Sequence, residues 1–292
     1  MIRNYALLIL LRVTGYVSAS LPHTLRVQAG HALGRLLMLL SASRVSITKN
    51  NIVSAFPDKD SLFHKQVLIG SYHNLGIVLL EIAAMYFMSN KSIASLMTFT
   101  NISLIEDILS RGKGIVIISG HLANWEYLAF TAGIHANQSF LLVAKQQKNL
   151  FVDKAITELR TRAGNTTVSM EEAARPLVKA LQNNQPVALL IDQAADPKRD
   201  AHIDLFGRKA VVFEAPAALS LRYGTPLVFA IPVRDDNGTY SVTLTEIQTD
   251  DLTSSNEDIL ELTRRHTAFL EKSIREHPDQ WTWQHNRWKY HV

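Results

Sequence analysis

The sequence predicts an α/β fold in which helices flank a central, mostly parallel sheet, preceded by an N-terminal membrane-associating helical segment. Three observations predict it. Five short apolar runs, bounded by Gly, Asn, Pro or Asp, alternate with longer helical patterns. The 47% hydrophobic and 19% charged composition is that of a globular protein. Residues 1–57 hold six Arg or Lys and no Asp or Glu, which suits an anionic membrane surface.

The N-terminal segment contains helical patterns at 3–20 and 24–42. Its first apolar run stops at Arg12, the one formal charge between Asn4 and Leu25. An arginine in mid-bilayer is costly, so an anchor lying on or dipping into the membrane is favoured over a single span. A cleaved signal peptide and an ordinary buried helix pair are the alternatives. We predict membrane-associating helices over residues 1–45 and a single α/β domain over 46–292.

The remaining elements follow in order. A helix is predicted at 60–89, and its apolar stretch LGIVLLEIAAMYF contains one acid, Glu81. Strands are predicted at 114–119, 139–145, 186–192, 226–233 and 239–247, and helices at 122–134, 148–163, 171–183, 214–223 and 255–276. The residues DDNG at 235–238 indicate a hairpin turn. The tryptophan-rich C-terminus suits either a membrane interface or packing onto the body.

His121 directly follows the first predicted strand, in GIVIISGHLANWE. Ligands of open α/β sheets bind beyond the carboxyl ends of strands. On one regular helix His121 and Glu126 would lie about 140° apart, so pairing requires His121 at the helix entry. Glu126 would then reach back to one ring nitrogen and leave the other as a base. Helix capping produces the same spacing, and the spacing alone leaves that alternative open.

Metal and thiol chemistry find little support in the sequence. The chain contains no cysteine, which excludes disulfides, thiolate catalysis and Cys-based zinc sites. His121, Glu126 and Asp192 are residue types that bind metals. No second histidine stands at a ligand spacing such as H-E-x-x-H, however, so we predict no metal site.

A series of motifs resembles the H-x4-(D/E) acyltransferases, most closely the branch with the bacterial lipid A secondary acyltransferases and the phosphatidylinositol mannoside acyltransferases. In chain order they are NIVSAFPD at 51–58, SYHNLGIVLLE at 71–81, HLANWE at 121–126, RTRAG at 160–164, LLIDQ at 189–193, LFGRKA at 205–210 and HPDQWTWQHNRWK at 277–289. Two departures stand out. Ala123 replaces a frequent glycine, and Ala144–Lys145 replaces a frequent Tyr-Arg pair.

The resemblance implies a glycerol-phosphate-acyltransferase-like fold and O-acyl transfer. His121 is the implied general base, and Glu126 holds and polarises it. The implied substrate-binding residues are Asn124, Arg160, Arg162, Gly164, Asp192, Phe206 and Gly207. The two arginines are expected to bind phosphate groups or developing negative charge. Asp192 is expected to orient an arginine or to cap the next turn.

The resemblance also implies partners and location. No cofactor is expected, because the acyl thioester of acyl carrier protein or coenzyme A is the co-substrate. The implied acceptor is a hydroxyl of a lipid A precursor at the cytoplasmic face of the bacterial inner membrane, with the N-terminal segment as anchor. No nucleic acid partner is expected. A phosphatidylinositol mannoside or another polar lipid is the alternative acceptor, and a non-catalytic lipid-binding relative or a hydrolase is the alternative function.

Overall fold

The computed structural model describes residues 2–147 and 149–290, and it has the predicted α/β fold. The helices are α1 Ile2–Ser20, α2 His23–Leu40, α3 Ala42–Ala55, α4 Ser61–Met85, α5 Asn90–Ala94, α6 Ser103–Ser110, α7 Trp125–Ala136, α8 Leu150–Thr161, α9 Ala174–Gln182, α10 Ala215–Tyr223 and α11 Asn256–Glu276. The strands are β1 Met97–Phe99, β2 Ile115–Ser119, β3 Leu141–Ala144, β4 Thr166–Ser169, β5 Pro186–Leu190, β6 Ala201–Leu205, β7 Arg208–Val212, β8 Leu227–Arg234 and β9 Tyr240–Ile247. Residues 1, 148, 291 and 292 lie outside the described residues, so the predicted first residue of the helix at 148–163 is untested.

Seven strands form one sheet in the order β1-β9-β8-β2-β5-β3-β4. Strands β8, β2, β5, β3 and β4 run parallel, whereas β9 runs antiparallel to β8 and β1 runs parallel to β9. Ser119 pairs with Leu190 at the carboxyl ends of β2 and β5. Because these two strands are neighbours in the middle of the sheet, the residues that follow them meet at one edge.

Two apolar cores cover the two faces of the sheet. Every residue of β2 is buried, as expected for a parallel strand with helices on both faces. Val116 and Ile118 belong to the core that contains the C-terminal tryptophans. Ile115 and Ile117 belong to the other core, with residues of α6 and α7. The alternation of side chains along β2 therefore joins the two cores.

The five predicted strands and the predicted hairpin turn are confirmed, with ends that differ by at most two residues. The helix predicted at 60–89 begins after Asp60, whose side chain accepts a hydrogen bond from Phe63 N at 2.8 Å, and it ends at Met85. The sequence did not predict α3, α5, α6, β1, β4 or the separate β6–β7 hairpin. β1 has only three residues, and β6 alternates buried and exposed residues, so neither produces an apolar run.

Helices α1 and α2 pack against α4 at backbone contact distance. A Cβ atom added to Gly76 of α4 would lie 2.1 Å from Gly30 O and 2.5 Å from Gly34 N of α2. The buried guanidinium of Arg26 donates to the carbonyl of Ser18 at 2.8 Å, which joins the end of α1 to α2. The N-terminal helices are thus in direct contact with the body, and the division at residue 45 stays a prediction.

Among the described residues, α4 is the one helix that is long and apolar enough to cross a membrane, and half of its most apolar window is buried in the protein. Helices α1 and α2 instead expose large apolar side chains to the outside. These are Ile9, Leu10, Leu11, Val13, Tyr16, Val17, Leu25, Leu36, Leu39 and Leu40. Such a face is compatible with a membrane-associating segment.

Candidate active site

His121 and Asp192 lie together where β2 and β5 end. Each stands two residues beyond the paired residues Ser119 and Leu190, and Ile191 N still donates to Ser119 O at 3.0 Å. His121 Nδ1 lies 2.7 Å from Asp192 Oδ1, and His121 N donates to Asp192 Oδ2 at 2.7 Å. An ionised carboxylate only accepts hydrogen bonds. In the neutral ring the proton therefore lies on Nδ1, and Nε2 presents a lone pair.

The two groups shift each other's proton affinity. Burial lowers the pKa of His121, but the charge of Asp192 and its hydrogen bond outweigh burial, so this pKa lies above the ordinary 6.5. Burial raises the pKa of Asp192, but the charge and hydrogen bonds of His121 bring it down to about 2. Asp192 is therefore ionised at neutral pH and stabilises the imidazolium form of His121.

The backbone turns sharply between β2 and α7. Ala123 has a φ of 43°, in the left-handed region, and its side chain is fully buried. The helix begins at Trp125, and Asn124 caps it by accepting a hydrogen bond from Tyr127 N at 2.9 Å. His121 consequently lies off the helix, at its entry, as the sequence predicted.

Glu126 contacts Arg160 instead of His121. Arg160 donates through Nε to Glu126 Oε2 at 2.9 Å and through Nη2 to Oε1 at 2.5 Å, a bidentate pair. Among the described residues, no hydrogen bond joins Glu126 to the His121 ring. This corrects the predicted contact, because Asp192 already occupies Nδ1. It also corrects the expectation that Asp192 orients an arginine or caps a turn.

The remaining predicted binding residues have structural contacts. Arg162 Nη1 donates to Met85 O at 2.7 Å. Gly164, with a φ of 96°, forms the turn after α8. Phe206 and Gly207, with φ values of 55° and 70°, form the tight turn between β6 and β7. The structure thus gives these four residues turn and packing contacts and does not bring them into hydrogen-bond contact with His121.

Asn124 also ties the active-site turn to α4. Its Nδ2 donates to Glu81 Oε2 at 2.7 Å, and Tyr240 OH donates to the same oxygen at 2.5 Å. Glu81 is fully buried. The single acid of the apolar helix therefore fixes the residue that caps α7.

Sequence reasoning missed several contacts that the C-terminal motif makes. Trp281 Nε1 donates to Asp192 Oδ2 at 2.7 Å. Thr282 donates to His121 O twice, from its backbone N at 3.1 Å and from Oγ1 at 2.9 Å. Gln193, recognised only as part of the LLIDQ motif, places its Nε2 3.3 Å from His121 Nε2. The tryptophans of this motif are buried. Of the two predicted alternatives for the C-terminus, packing onto the body is therefore confirmed.

An apolar cavity of about 70 Å³ is lined in part by Trp125, the neighbour of His121. Its lining includes Ser119, Glu126 and Arg160 as polar or charged residues, and the Trp125 ring, whose centroid lies 4.9 Å from that of His121. The rest of its lining is apolar and includes Phe99, Ile105, Ile117, Leu128, Phe140 and Leu244. The Glu126–Arg160 ion pair thus borders a small, mostly apolar space near the base.

Comparison with known proteins identifies the family of the chain. The family model for bacterial lipid A biosynthesis acyltransferase matches residues 2–290. The chain is 22% identical over 277 residues to the lipid A biosynthesis lauroyltransferase of Escherichia coli strain K12, covering 94% of this chain and 88% of that protein. It is 20% identical over 271 residues to the lipid A biosynthesis palmitoleoyltransferase of the same strain, covering 92% and 86%. The same values hold for the lipid A biosynthesis acyltransferase of Shigella flexneri. Because the family model spans nearly the whole chain, this protein belongs to the bacterial lipid A biosynthesis acyltransferases.

Proposed function

We propose that this protein moves a fatty acyl chain from the thioester of acyl carrier protein to a hydroxyl of a lipid A precursor, with His121 as general base. The observation that carries the proposal is the His121–Asp192 pair, with an apolar cavity lined by the neighbouring Trp125, in a chain of this family. Coenzyme A is the alternative carrier of the thioester.

The tautomer of the neutral His121 ring suits proton removal. Nε2 takes the proton of the acceptor hydroxyl, while Asp192 holds the proton on Nδ1 and stabilises the imidazolium. The acceptor oxygen attacks the thioester carbonyl and forms a tetrahedral oxyanion. The C–S bond then breaks, and the leaving sulfur takes the proton from Nε2. The acyl chain passes directly to the acceptor, so no acyl-enzyme forms.

Arg160 and Gln193 are the proposed electrophilic groups. Arg160 lines the cavity, and its guanidinium is fixed by Glu126 from α7. In this proposal it binds a phosphate of a substrate or the developing negative charge, and Glu126 is the residue that positions it. The Gln193 amide, beside His121 Nε2, donates to the oxyanion once the acceptor has displaced it from the ring.

The cavity is the proposed site of the acyl chain. Each buried methylene contributes about 0.8 kcal/mol, so an apolar slot beside the base selects a fatty acyl donor. The lining side chains would then limit the chain length. Substitution of Ala132, which lines the cavity, by Phe would shorten the preferred chain.

The exposed apolar side chains of α1 and α2 support the proposed location. Leu39 and Leu40 are 79% and 73% exposed, which is costly in water and favourable against a bilayer. The neighbouring Arg12 and Arg35 would contact anionic headgroups at the cytoplasmic face of the inner membrane. In this proposal the segment lies on the membrane and presents the active site to a lipid acceptor.

The test uses purified protein in detergent, a labelled acyl-carrier-protein thioester and a Kdo-bearing lipid A precursor. Acylated lipid and free fatty acid are measured separately for wild type, His121→Ala and the control His135→Ala, an exposed histidine of α7. We expect lipid product from wild type and the control, and none from His121→Ala.

Other outcomes identify the alternatives. Free fatty acid without lipid product would indicate a hydrolase, or an acceptor of another class such as a phosphatidylinositol mannoside. Equal turnover in wild type and His121→Ala would contradict the proposed base. Absence of turnover in every variant, with retained lipid binding, would favour a non-catalytic lipid-binding protein.

A further inference from the structure

We propose that Trp281 is a positioning residue for the acyl transfer, because its indole N–H orients Asp192 and weakens the electrostatic attraction of that carboxylate for protonated His121. The inference rests on the proposed role of His121 as the base. It concerns the segment 277–288, which we call the C-terminal strap.

The strap hydrogen-bonds to both active-site loops. On the β2 side, Ala123 N donates to Gln280 O at 2.9 Å, and Thr282 donates twice to His121 O. On the β5 side, Trp281 donates to Asp192 Oδ2 at 2.7 Å, and Ala194 N donates to His285 Nε2 at 3.3 Å. The strap therefore fixes the base and its carboxylate relative to each other.

The body of the protein fixes the strap in turn. Asn51 Nδ2 donates to the carbonyl oxygens of Trp283 and His285, both at 2.9 Å. Asn74 Nδ2 donates to Gln280 O at 2.9 Å. Only 2% of the Trp281 surface is exposed. A buried donor held by several independent bonds is a rigid one, which is what positioning requires.

The two oxygens of Asp192 have different partners. Oδ2 accepts from Trp281 Nε1 and from His121 N, which leaves Oδ1 for His121 Nδ1. Donors on Oδ2 withdraw negative charge from the carboxylate and so weaken its attraction for the imidazolium. A weaker attraction keeps more of His121 neutral, and only the neutral ring is a base.

Other charged groups around the pair stay in place when the indole is removed. Arg160 opposes protonation of His121, and Glu126 favours it. On the strap, Arg287 and His285 interact with Asp192. Burial lowers the pKa of His285 to about 4, so His285 is neutral in the range where His121 titrates. Loss of the Trp281 donor therefore changes one interaction of Asp192 and no formal charge.

The test compares Trp281→Phe with Trp288→Phe. Both remove an indole N–H from a buried strap residue, but Trp288 Nε1 has no hydrogen-bond partner in the part of the chain that the structure describes. The titration of His121 is followed by NMR of histidine labelled at Cε1, with His121→Ala to assign the signal. The pH dependence of kcat/KM for lipid acylation is measured on the same proteins.

The expected direction follows from the charge on Asp192. Trp281→Phe leaves more negative charge facing the imidazolium, so the pKa of His121 rises by about half a pH unit or more. Below that pKa, kcat/KM falls about threefold per half unit, and it recovers as the pH is raised. Trp288→Phe leaves both the titration and the pH profile at wild-type values.

An unchanged His121 titration in Trp281→Phe would overturn the inference. So would an equal shift in both variants, because it would mean that the strap acts only through packing. The NMR titration needs no turnover. If wild type failed to acylate lipid while Trp281→Phe shifted the His121 titration, the proposed function would fail and the positioning contact would stand.

Discussion

The active-site edge of the sheet and the contact between α2 and α4 are held together by opposite means. At the edge, directed hydrogen bonds from buried polar side chains fix His121 and Asp192. Between the helices, the missing side chains of Gly30, Gly34 and Gly76 let the backbones touch. Changes at the edge should therefore alter activity more than stability, and changes between the helices should do the reverse. The predictions below test that division, from the largest expected free-energy effect to the smallest, with Gly76→Ala and Gln193→Ala of similar size between them.

The largest effect is expected from Asp192→Asn, which keeps the shape of the side chain and removes its charge. Loss of the imidazolium partner should lower kcat about 10³- to 10⁴-fold, or roughly 4–5 kcal/mol of transition-state stabilisation. Steady-state kinetics with the lipid product measures it. The matched control is Asp196→Asn, a more exposed aspartate of the loop after β5.

The stability of the wild-type protein has a predictable pH dependence that Asp192→Asn should lack. The pKa of Asp192 is about 2 in the folded protein and 3.8 in its unperturbed state. Because the folded-state pKa is the lower one, the contribution of Asp192 to the free energy of unfolding is fully present above about pH 5 and is lost as the pH falls towards 2, which denaturant unfolding at several pH values measures. More than a tenth of wild-type kcat in Asp192→Asn would contradict its role, and Glu126 would return as the candidate partner of His121.

Gly76→Ala should destabilise the fold without impairing the chemistry. The new Cβ would lie 2.1 Å from Gly30 O, a backbone atom that cannot rotate away, so α2 must shift. Overpacking of this kind costs about 1–3 kcal/mol, against a gain of about 0.5–1 kcal/mol from helix propensity. Denaturant unfolding measures the change, with Leu79→Ala on an exposed part of α4 as the control.

The outcome that would contradict this prediction is a higher free energy of unfolding for Gly76→Ala than for wild type. A stabilised Gly76→Ala variant would show that propensity wins and that α2 and α4 can separate easily. A lower kcat in fully folded Gly76→Ala would contradict the division between the two regions, because a change in helix packing would then have altered the activity.

Gln193→Ala tests the proposed oxyanion donor. Loss of one such donor lowers kcat about 10²-fold, or roughly 2.7 kcal/mol, while KM changes little, because the interaction forms in the transition state. Gln185→Ala is a matched control, since its amide donates to Ser139 O away from the histidine. A higher KM with unchanged kcat would assign Gln193 to substrate binding instead.

The structural features that depend on local sequence pattern could be predicted from the sequence. Alternating apolar runs predicted the strands of the central sheet, and the position of His121 after β2 predicted a site at that edge. The partner of His121 was not predictable, because it depends on the pairing of β2 with β5, and His121 and Asp192 are 71 residues apart. Spacing along the chain instead pointed to Glu126, whose side chain the α7 helix directs to Arg160.

The contacts of the strap were unpredictable for the same reason. Its tryptophans were evident, but nothing in their spacing tells which carboxylate they contact, because Trp281 and Asp192 are 89 residues apart. The turn residues Phe206, Gly207 and Gly164 show the converse. They stand in recognisable motifs, and the positive φ values of Gly164 and Gly207 explain the glycines by backbone geometry. Among the described residues, none of the three has a hydrogen bond to the histidine.

The smallest effect is expected from Ala123→Gly, at a residue that shares a feature with each of the two regions. Ala123 lies in the active-site turn but is held there by backbone conformation, with a φ of 43°. The left-handed conformation costs an alanine about 1–2 kcal/mol, and glycine loses about 0.5–1 kcal/mol in chain entropy, so the variant should gain about 0.5–1 kcal/mol. Thermal unfolding measures this, and kcat should stay within about twofold because no polar contact of His121 changes.

The control for this variant is Ala136→Gly, a buried residue in the last turn of α7, where the same substitution should cost about 1 kcal/mol. Opposite signs at the two alanines would show that strain at Ala123 governs the difference. Destabilisation at both would mean that the buried methyl group of Ala123 contributes more through packing than its backbone conformation costs. Glycine is frequent here in the acyltransferases that this chain resembles, and a left-handed φ is the physical reason for glycine at such a position.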